Sequence, residues 1–162
     1  MTSRPSLPMT GGCSCGAIRY EITIFPLLLY TCNCTNCQLA SGSAFALNMP
    51  IATKGFRIVK GQPKGWHHES PSGVPVIAWF CGECGARIYG ERSGRPDSIN
   101  LRAGSLDGTA WLVPAGHLFM KSKQSWVEPA AGAECFETQP SDFRPLAKKW
   151  QAMWPEFFLA KG

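Results

Sequence analysis

Cysteine spacing is the feature of this sequence of 162 residues that could carry chemistry. Of its eight cysteines, all but Cys135 fall into three short clusters. The clusters are Cys13 and Cys15, then Cys32, Cys34 and Cys37, then Cys81 and Cys84. Thiolates two or three residues apart direct several soft donors at one small cation. The spacing therefore predicts zinc sites.

The first and last clusters together predict a closed, structural zinc site. Cys81 and Cys84, followed by Gly85, form a zinc-knuckle turn that presents two sulfurs to the same point. Cys13 and Cys15 can supply the other two ligands, because residues two apart on a strand share a face. We expect these four cysteines to bind one zinc with no open coordination position.

The middle cluster predicts a different kind of site. Cys32, Cys34 and Cys37 place three thiolates on a loop of six residues, and three protein ligands leave one position of a tetrahedral zinc for an exchangeable group. Such a zinc can bind an external thiolate or polarise an aldehyde oxygen. Two alternatives stay open: a second structural zinc completed by Cys135 or His117, and a metal-free, redox-active site.

Composition narrows the class of protein. The formal charge of +5 comes from 16 basic and 11 acidic residues that are scattered, which disfavours nucleic acid and fits a small anionic substrate. The longest apolar run, residues 24–30, is too short to span a membrane. Residues 1–10 lack the apolar region of a signal peptide, so we expect a cytoplasmic protein. Phosphate-binding glycine loops and serine-nucleophile motifs are absent from the sequence.

The elements that must position the cysteines are short strands. We predict one domain spanning residues 1–162, with a mainly β fold and a C-terminal amphipathic helix. The predicted strands are at residues 17–22, 27–31, 43–49, 56–59, 74–80, 88–89, 98–103 and 117–120, with a turn at 61–66, a possible strand start at 67–68 and a turn at 70–73.

The C-terminal helix is predicted from apolar residues at steps of three and four between Leu146 and Phe158. Ser141 or Asp142 would cap it, and Pro155 would kink or split it. Two interpretations follow: the helix binds a partner or a second copy in a homodimer, or it docks on its own domain.

The three cysteine motifs, in this order and with their glycine neighbours, resemble the glutathione-dependent formaldehyde-activating enzyme family, which is shared by centromere protein V. The likeness covers about residues 11–127 and leaves residues 132–162 as an extension. It implies a β-tent fold of antiparallel sheets built around zinc, with a structural zinc on Cys13, Cys15, Cys81 and Cys84 and a second zinc on Cys32, Cys34 and Cys37. Asn33 stands where members of the family often have His.

The resemblance also implies a carbon–sulfur lyase, of the type that joins glutathione and formaldehyde into S-hydroxymethylglutathione. The partners would be a small thiol such as glutathione and an aldehyde. We predict His117, Lys121, Lys123 and Arg102 as the residues that anchor substrate carboxylates. The alternatives are a non-catalytic, zinc-stabilised module that binds a protein partner and a thiol redox sensor.

Overall fold

The computed structural model describes residues 4–70 and 73–158, and its contacts divide the chain into two compact units. Unit 1 comprises Met1–Pro26 and Pro50–Leu112, and unit 2 comprises Leu27–Met49 and Val113–Gly162. Part of the turn predicted at 70–73 and the last four residues of the predicted extension lie outside the described residues. The expectation of one domain over the whole chain stays a prediction.

Short strands account for most of the regular structure. In chain order they are β1 Met9–Gly12, β2 Arg19–Ile22, β3 Tyr30–Cys32, β4 Ala46–Ala52, β5 Phe56–Lys60, β6 Lys64–Glu69, β7 Pro75–Phe80, β8 Arg87–Arg92, β9 Ser98–Arg102, β10 Gly116–Leu118 and β11 Glu134–Cys135. The helices are α1 Thr35–Ser41, α2 Arg144–Met153 and α3 Pro155–Phe158, and single 3-10 turns occupy Thr53–Gly55, Ala103–Ser105 and Met120–Ser122. The prediction of a mainly β fold with a C-terminal helix is confirmed. The turn predicted at 61–66 is wrong in its second half, since β6 begins at Lys64.

Unit 1 contains two antiparallel arrays of strands, in the orders β1-β2-β5 and β9-β8-β7-β6. Aromatic rings connect them. The ring of Tyr20 on β2 lies 5.4 Å from that of Phe56 on β5, and Phe56 lies 4.9 Å from Tyr89 on β8. These centroid distances are typical of attractive aromatic pairs. The hydroxyl of the fully buried Tyr20 is paired with the Ser105 hydroxyl at 2.9 Å.

Unit 2 has the strand order β11-β10-β3-β4. Strands β3 and β4 are antiparallel, whereas β10 is parallel to both β3 and β11. The sheet is therefore mixed rather than antiparallel throughout. A parallel neighbour needs a long connection rather than a hairpin, and the chain between β3 and β10 is long enough to provide it.

The C-terminal helix docks on its own unit, as one of the two interpretations predicted. Leu146 and Trp150, one turn apart on α2, are both 0% exposed. Leu146 packs against Gly116 on β10. A Cβ atom added to Gly116 would lie only 2.7 Å from the Cδ1 atom of Leu146. The N-cap of α2 is Phe143, which makes no side-chain capping bond, so the cap predicted at Ser141 or Asp142 is wrong. Asp142, one residue earlier, accepts a hydrogen bond from the Arg144 N–H at 2.9 Å. Pro155 begins α3.

The helices of the described residues include none with the length and apolar character that crossing a membrane requires.

Trp150→Ala tests whether α2 is an integral part of unit 2. Removing a fully buried indole leaves a cavity, so we expect the free energy of unfolding to fall by about 3–5 kcal/mol. The matched control is Gln151→Ala, which changes the next, exposed position of the same helix and is expected to stay within about 0.5 kcal/mol of the wild type. Urea unfolding followed by circular dichroism measures both. Equal effects of the two substitutions would contradict the docked helix.

Candidate metal centre

The first cysteine site lies at the ends of two hairpins of unit 1. In the β1–β2 loop the Cys13 N–H donates to the Ile18 carbonyl at 3.1 Å, and in the β7–β8 loop the Cys81 N–H donates to the Ala86 carbonyl at 2.9 Å. Cys15 therefore lies in a turn beyond β1, and the expectation that Cys13 and Cys15 share the face of a strand is wrong. The turn brings their sulfurs together instead.

Glycines with left-handed backbone angles complete both turns. Gly16, next to Cys15, has φ of 73°, and Gly85, next to Cys84, has φ of 75°. Side chains with a Cβ atom rarely adopt this conformation. The two glycines thus let the chain reverse immediately after the second cysteine of each pair.

The sulfur geometry of this cluster fits zinc. The Sγ atoms of Cys13, Cys15, Cys81 and Cys84 all lie within 4.8 Å of one another. The Cys13 and Cys15 sulfurs are 3.4 Å apart, and the Cys15 and Cys81 sulfurs are 3.7 Å apart. A tetrahedral zinc with Zn–S bonds of about 2.3 Å requires sulfurs about 3.8 Å apart. The structure brings together the four cysteines grouped from sequence, and their role as zinc ligands stays a prediction.

Local hydrogen bonds favour the thiolate form at two cysteines of this cluster, Cys84 and Cys13. The Ser14 hydroxyl, together with the Ala86 N–H, lowers the pKa of Cys84 to about 5. Burial raises the pKa of Cys13, but the Ile18 N–H, which donates to its sulfur at 3.2 Å, helps to bring that pKa below its usual value. At Cys15 the Ala17 N–H lowers the pKa, but the hydrogen bond with Cys13 contributes to raising it to about 12. Local bonds therefore favour the anion, which is the form that binds a metal, at part of the donor set.

The second cluster lies in unit 2, where β3 leads into α1. Cys32 is the last residue of β3, and Cys34 is the N-cap of α1, accepting a hydrogen bond from the Cys37 N–H on its sulfur at 3.4 Å. The loop expected from sequence is wrong at Cys37, which lies in the first turn of a helix. A sulfur acceptor thus replaces the oxygen that usually caps a helix.

The three sulfurs form a compact donor set. They lie within 4.8 Å of one another, and those of Cys32 and Cys34 are 3.5 Å apart, so their geometry also fits zinc. Within the described ranges, the cluster contains no fourth His, Cys, Asp or Glu donor. Hydrogen bonds with the Cys32 and Cys37 thiols lower the pKa of Cys34 to about 2, whereas the pKa of Cys32, which donates to Cys34, is raised.

Neither residue considered as a fourth ligand belongs to this cluster. Cys135 is exposed on β11. His117 is buried on β10, where its Nδ1 atom lies 2.7 Å from the Thr31 hydroxyl and its Nε2 atom accepts a hydrogen bond from the Ala130 N–H at 3.0 Å. The accepting Nε2 atom fixes a neutral ring that carries its proton on Nδ1. Burial lowers the pKa of His117, in agreement with that tautomer.

Neutral hydrogen bonds hold the peptide between Cys32 and Cys34 in place. The Asn33 N–H and its Nδ2 atom both donate to the Leu118 carbonyl, at 3.0 and 2.8 Å. Gln38 on α1 donates through Nε2 to the carbonyls of Asn33 at 2.7 Å and Ser122 at 2.8 Å. Asn33 is 0% exposed, so these bonds anchor the segment inside unit 2.

Sequence reasoning missed Gln38. The signal was available, because a residue four positions after a helix N-cap lies one turn above it. Finding Gln38 from the sequence requires identifying Cys34 as the N-cap of α1. Cysteine is not one of the residue types that usually occupy this position.

The predicted substrate-binding residues differ in their exposure, their position in the fold and their hydrogen bonds. Lys121 is exposed and Lys123 is half-buried, and they flank Ser122, whose carbonyl accepts the bond from Gln38. Arg102 is half-buried at the end of β9 in unit 1. His117 has both ring nitrogens occupied by protein groups.

Both the sequence and the structure of this chain are similar to known proteins. The family model described as "Glutathione-dependent formaldehyde-activating enzyme" matches residues 8–122. A crystal structure of a Rhodobacter sphaeroides protein is similar with a TM-score of 0.50 and 22% sequence identity, over 62% of this chain and 89% of that chain. This likeness concerns the fold alone. Among curated proteins, none matches the chain.

Serine substitutions distinguish a structural metal site from a working one. Cys81→Ser removes a buried ligand of the four-sulfur cluster, and because structural zinc binding is folding free energy, we expect a loss of more than about 5 kcal/mol of stability. Cys34→Ser should keep the fold, since serine is itself a preferred N-cap, while the second cluster loses its metal. Thermal melting and zinc content by plasma mass spectrometry measure the two effects.

The matched control is Cys135→Ser, an exposed cysteine outside both clusters, which should change neither quantity. Equal destabilisation by Cys81→Ser and Cys34→Ser would contradict the assignment of a structural metal site to the first cluster and an exchangeable one to the second.

The buried His117 ring predicts a pH dependence of stability. The pKa of His117 is lowered by burial, whereas its value in the unfolded chain is about 6.5. Below about pH 6.5 the unfolded state therefore binds more protons at His117 than the native state does. The stability that the neutral His117 ring contributes is complete above about pH 6.5. It is lost as the pH falls from that value towards the lower pKa of the native state.

Long-range proton–nitrogen NMR spectra should show a His117 ring that stays neutral, with its proton on Nδ1, at pH 6.5. His117→Gln assigns the signals and should flatten this part of the stability profile. A ring that is half protonated at pH 6.5 would refute the assignment.

Proposed function

Because the chain belongs to the glutathione-dependent formaldehyde-activating enzyme family, we propose that it joins a thiol to an aldehyde, or cleaves the resulting adduct, at Cys32, Cys34 and Cys37. The reaction is of the carbon–sulfur lyase type. Glutathione and formaldehyde are the pair that the family description points to, and the proposal assigns a structural zinc to the four-sulfur cluster and an exchangeable zinc to the three-sulfur cluster.

The observation that carries this proposal is the difference between the two sets of donors. Four cysteines of unit 1 meet at one point and can complete a tetrahedral shell. In unit 2 the described residues contribute three, Cys32, Cys34 and Cys37. A tetrahedral ion there takes its fourth ligand from outside the cluster, as working zinc sites do.

A zinc ion held by these three sulfurs would stabilise the thiolate form of a bound thiol and polarise an aldehyde oxygen. The overall balance is simple: a carbon–sulfur bond forms as the carbonyl π bond opens, and the proton of the thiol ends on the former carbonyl oxygen. Cys32, Cys34 and Cys37 act as ligands in this scheme and are not nucleophiles.

The surrounding residues position the ligands. Asn33 ties the peptide between Cys32 and Cys34 to the Leu118 carbonyl, and Gln38 ties the same peptide to Ser122. Both residues act through the backbone of the loop. None of these bonds uses a cysteine sulfur, whereas the Cys34 sulfur accepts the Cys37 N–H at 3.4 Å.

Lys121 and Lys123 flank Ser122, whose carbonyl accepts a hydrogen bond from Gln38 on α1. Their role in anchoring a substrate carboxylate stays a prediction. The role of Arg102 stays a prediction. His117 also stays a prediction as a substrate residue, and its two internal hydrogen bonds favour a positioning role on β10.

The binding-module alternative has less support from the C-terminal helix. That helix was the surface expected to engage a partner, and its residues Leu146 and Trp150 are buried within unit 2. A helix whose apolar face is already covered has little apolar area left to offer.

The activity is tested by following formaldehyde hydrate and its thiol adduct by NMR exchange spectroscopy with zinc-loaded protein and glutathione. We expect an exchange rate at least about tenfold above the protein-free rate, which corresponds to about 1.4 kcal/mol of barrier lowering. Cys34→Ser should return the rate to the background, because a ligand is lost while the N-cap is kept.

Cys135→Ser serves as the control for the loss of a thiol as such and should retain the full rate. A wild-type rate equal to the protein-free background, in protein shown to contain zinc, would remove this activity from consideration.

A further inference from the structure

The connection between β5 and β6 runs past the four-sulfur cluster of unit 1. β5 ends at Lys60 and β6 begins at Lys64, so residues 61–63 are all that joins the two strands. Lys60 is paired with Arg19, the first residue of β2, and Lys64 is paired with Phe80, the last residue of β7. The two lysines therefore lie beside the strand ends that carry the two cysteine turns.

Lys60 contacts the β1–β2 turn of the cluster. Its Nζ atom donates to the Gly16 carbonyl at 2.9 Å, and Gly16 directly follows Cys15. The next residue of the connection, Gly61, approaches the same turn, because a Cβ atom added to it would clash with the Ala17 carbonyl. The ammonium group of Lys60 is therefore held at this turn by the packing of the backbone as well as by its own hydrogen bond.

Lys64 lies over the β7–β8 turn of the cluster. A Cβ atom added to Gly82, between Cys81 and Cys84, would lie 2.6 Å from the Lys64 Cε atom and 3.0 Å from its Nζ atom. The Glu83 N–H donates to the Cys81 sulfur at 3.4 Å. With standard bond lengths, these two contacts limit the distance between the Lys64 Nζ atom and the Cys81 sulfur to about 10 Å. Charges at that distance interact at moderate salt, since the Debye length at 0.1 M is also about 10 Å.

A zinc ion at this cluster would leave a negative charge to be balanced. One divalent ion and four thiolates carry a net charge of about −2, and Glu83 adds another negative group to the β7–β8 turn. Arg19, next to Lys60 in the sheet, already forms an ion pair with Asp107. Lys60 and Lys64 are the cations that the β5–β6 connection brings to the two turns.

We propose that Lys60 and Lys64 strengthen zinc binding at the four-sulfur cluster by balancing the charge of its thiolates. The inference rests on the structural zinc of the proposed function and adds the residues that tune its affinity. When zinc leaves, the cysteines that take up protons lose their negative charge, so a neighbouring ammonium group stabilises the bound state more than the empty one.

The size of the effect follows from the position of the lysines. Groups that surround the ligands of a metal usually change its affinity by about 10–100-fold. Both lysines are exposed to solvent, which screens their charge. We therefore expect the lower end of this range for the two lysines together.

The test measures the dissociation constant of zinc by competition with a chromophoric chelator at low salt. Every protein also carries Cys34→Ser, so that the measurement reports on the four-sulfur cluster. The double substitution Lys60→Met and Lys64→Met removes both charges and keeps most of the side-chain length, and it should raise the dissociation constant about tenfold. The double substitution Lys60→Arg and Lys64→Arg keeps the charges and should retain the original value.

Lys54→Met is the matched control. Lys54 is an exposed lysine of unit 1 in the turn before β5, and the whole of β5, at about 3.3 Å per residue, separates it from Lys60. This substitution should leave the dissociation constant unchanged. Lys64→Met alone should raise it by less than the double substitution, and circular dichroism of each zinc-loaded variant reports its fold.

Salt separates charge from packing. At about 1 M salt, where the Debye length is about 3 Å, the difference between the methionine and arginine variants should largely disappear. A rise in the dissociation constant that is equal in both double variants, or that persists at high salt, would assign the effect to packing on the turns and overturn the role of charge.

Two further outcomes distinguish this inference from the proposed function. If the methionine double variant binds zinc as tightly as the protein that keeps both lysines, the role of the lysines is overturned and the structural zinc stands. If the Cys34→Ser protein binds no zinc at all, the structural zinc of the proposed function fails, and this inference fails with it.

Discussion

The constraint that joins the most distant parts of unit 1 is the meeting of four sulfurs at one point. Cys15 and Cys81 are 66 residues apart in sequence, yet their sulfurs lie 3.7 Å apart. Closing a loop of that length costs conformational entropy, and a metal that is bound only in the folded state offsets the cost. The centroid distance of 4.9 Å between Phe56 and Tyr89 shows that apolar packing joins the same two arrays of strands. Apolar packing and the metal coordination proposed for these sulfurs therefore favour the same arrangement.

The second cluster meets a similar geometric requirement by other means. Its sulfurs come from one short segment, so no distant hairpin is needed, and the segment is fixed by the hydrogen bonds of Asn33 and Gln38. Cys34 has two roles, because its sulfur caps α1 and also belongs to the donor set. In the absence of a fourth donor from the described residues, the geometry is maintained by neutral bonds around the ligands rather than by coordination alone.

Sequence reasoning succeeded where spacing or alternation is local. The grouping of the cysteines, β7 and the C-terminal helix follow from short patterns of residue types. It missed β1, which contains Gly11 and Gly12 and so lacks β-propensity, and α1, which has no fully buried residue and so shows no apolar period. The parallel pairing of β10 with β3 could not be predicted either, because the residues of a strand do not indicate which distant strand it pairs with.

Unit 2 holds its three sulfurs at the end of β3 and the start of α1, inside the segment that the family model matches. Gln38 supports this segment, since its Nε2 atom donates to the Asn33 carbonyl at 2.7 Å while its Oε1 atom accepts a bond from Gln124 at 3.1 Å. Gln124 lies beyond residue 122, where the match ends. The hydrogen bonds around the donor set therefore extend past the part of the chain that defines the family.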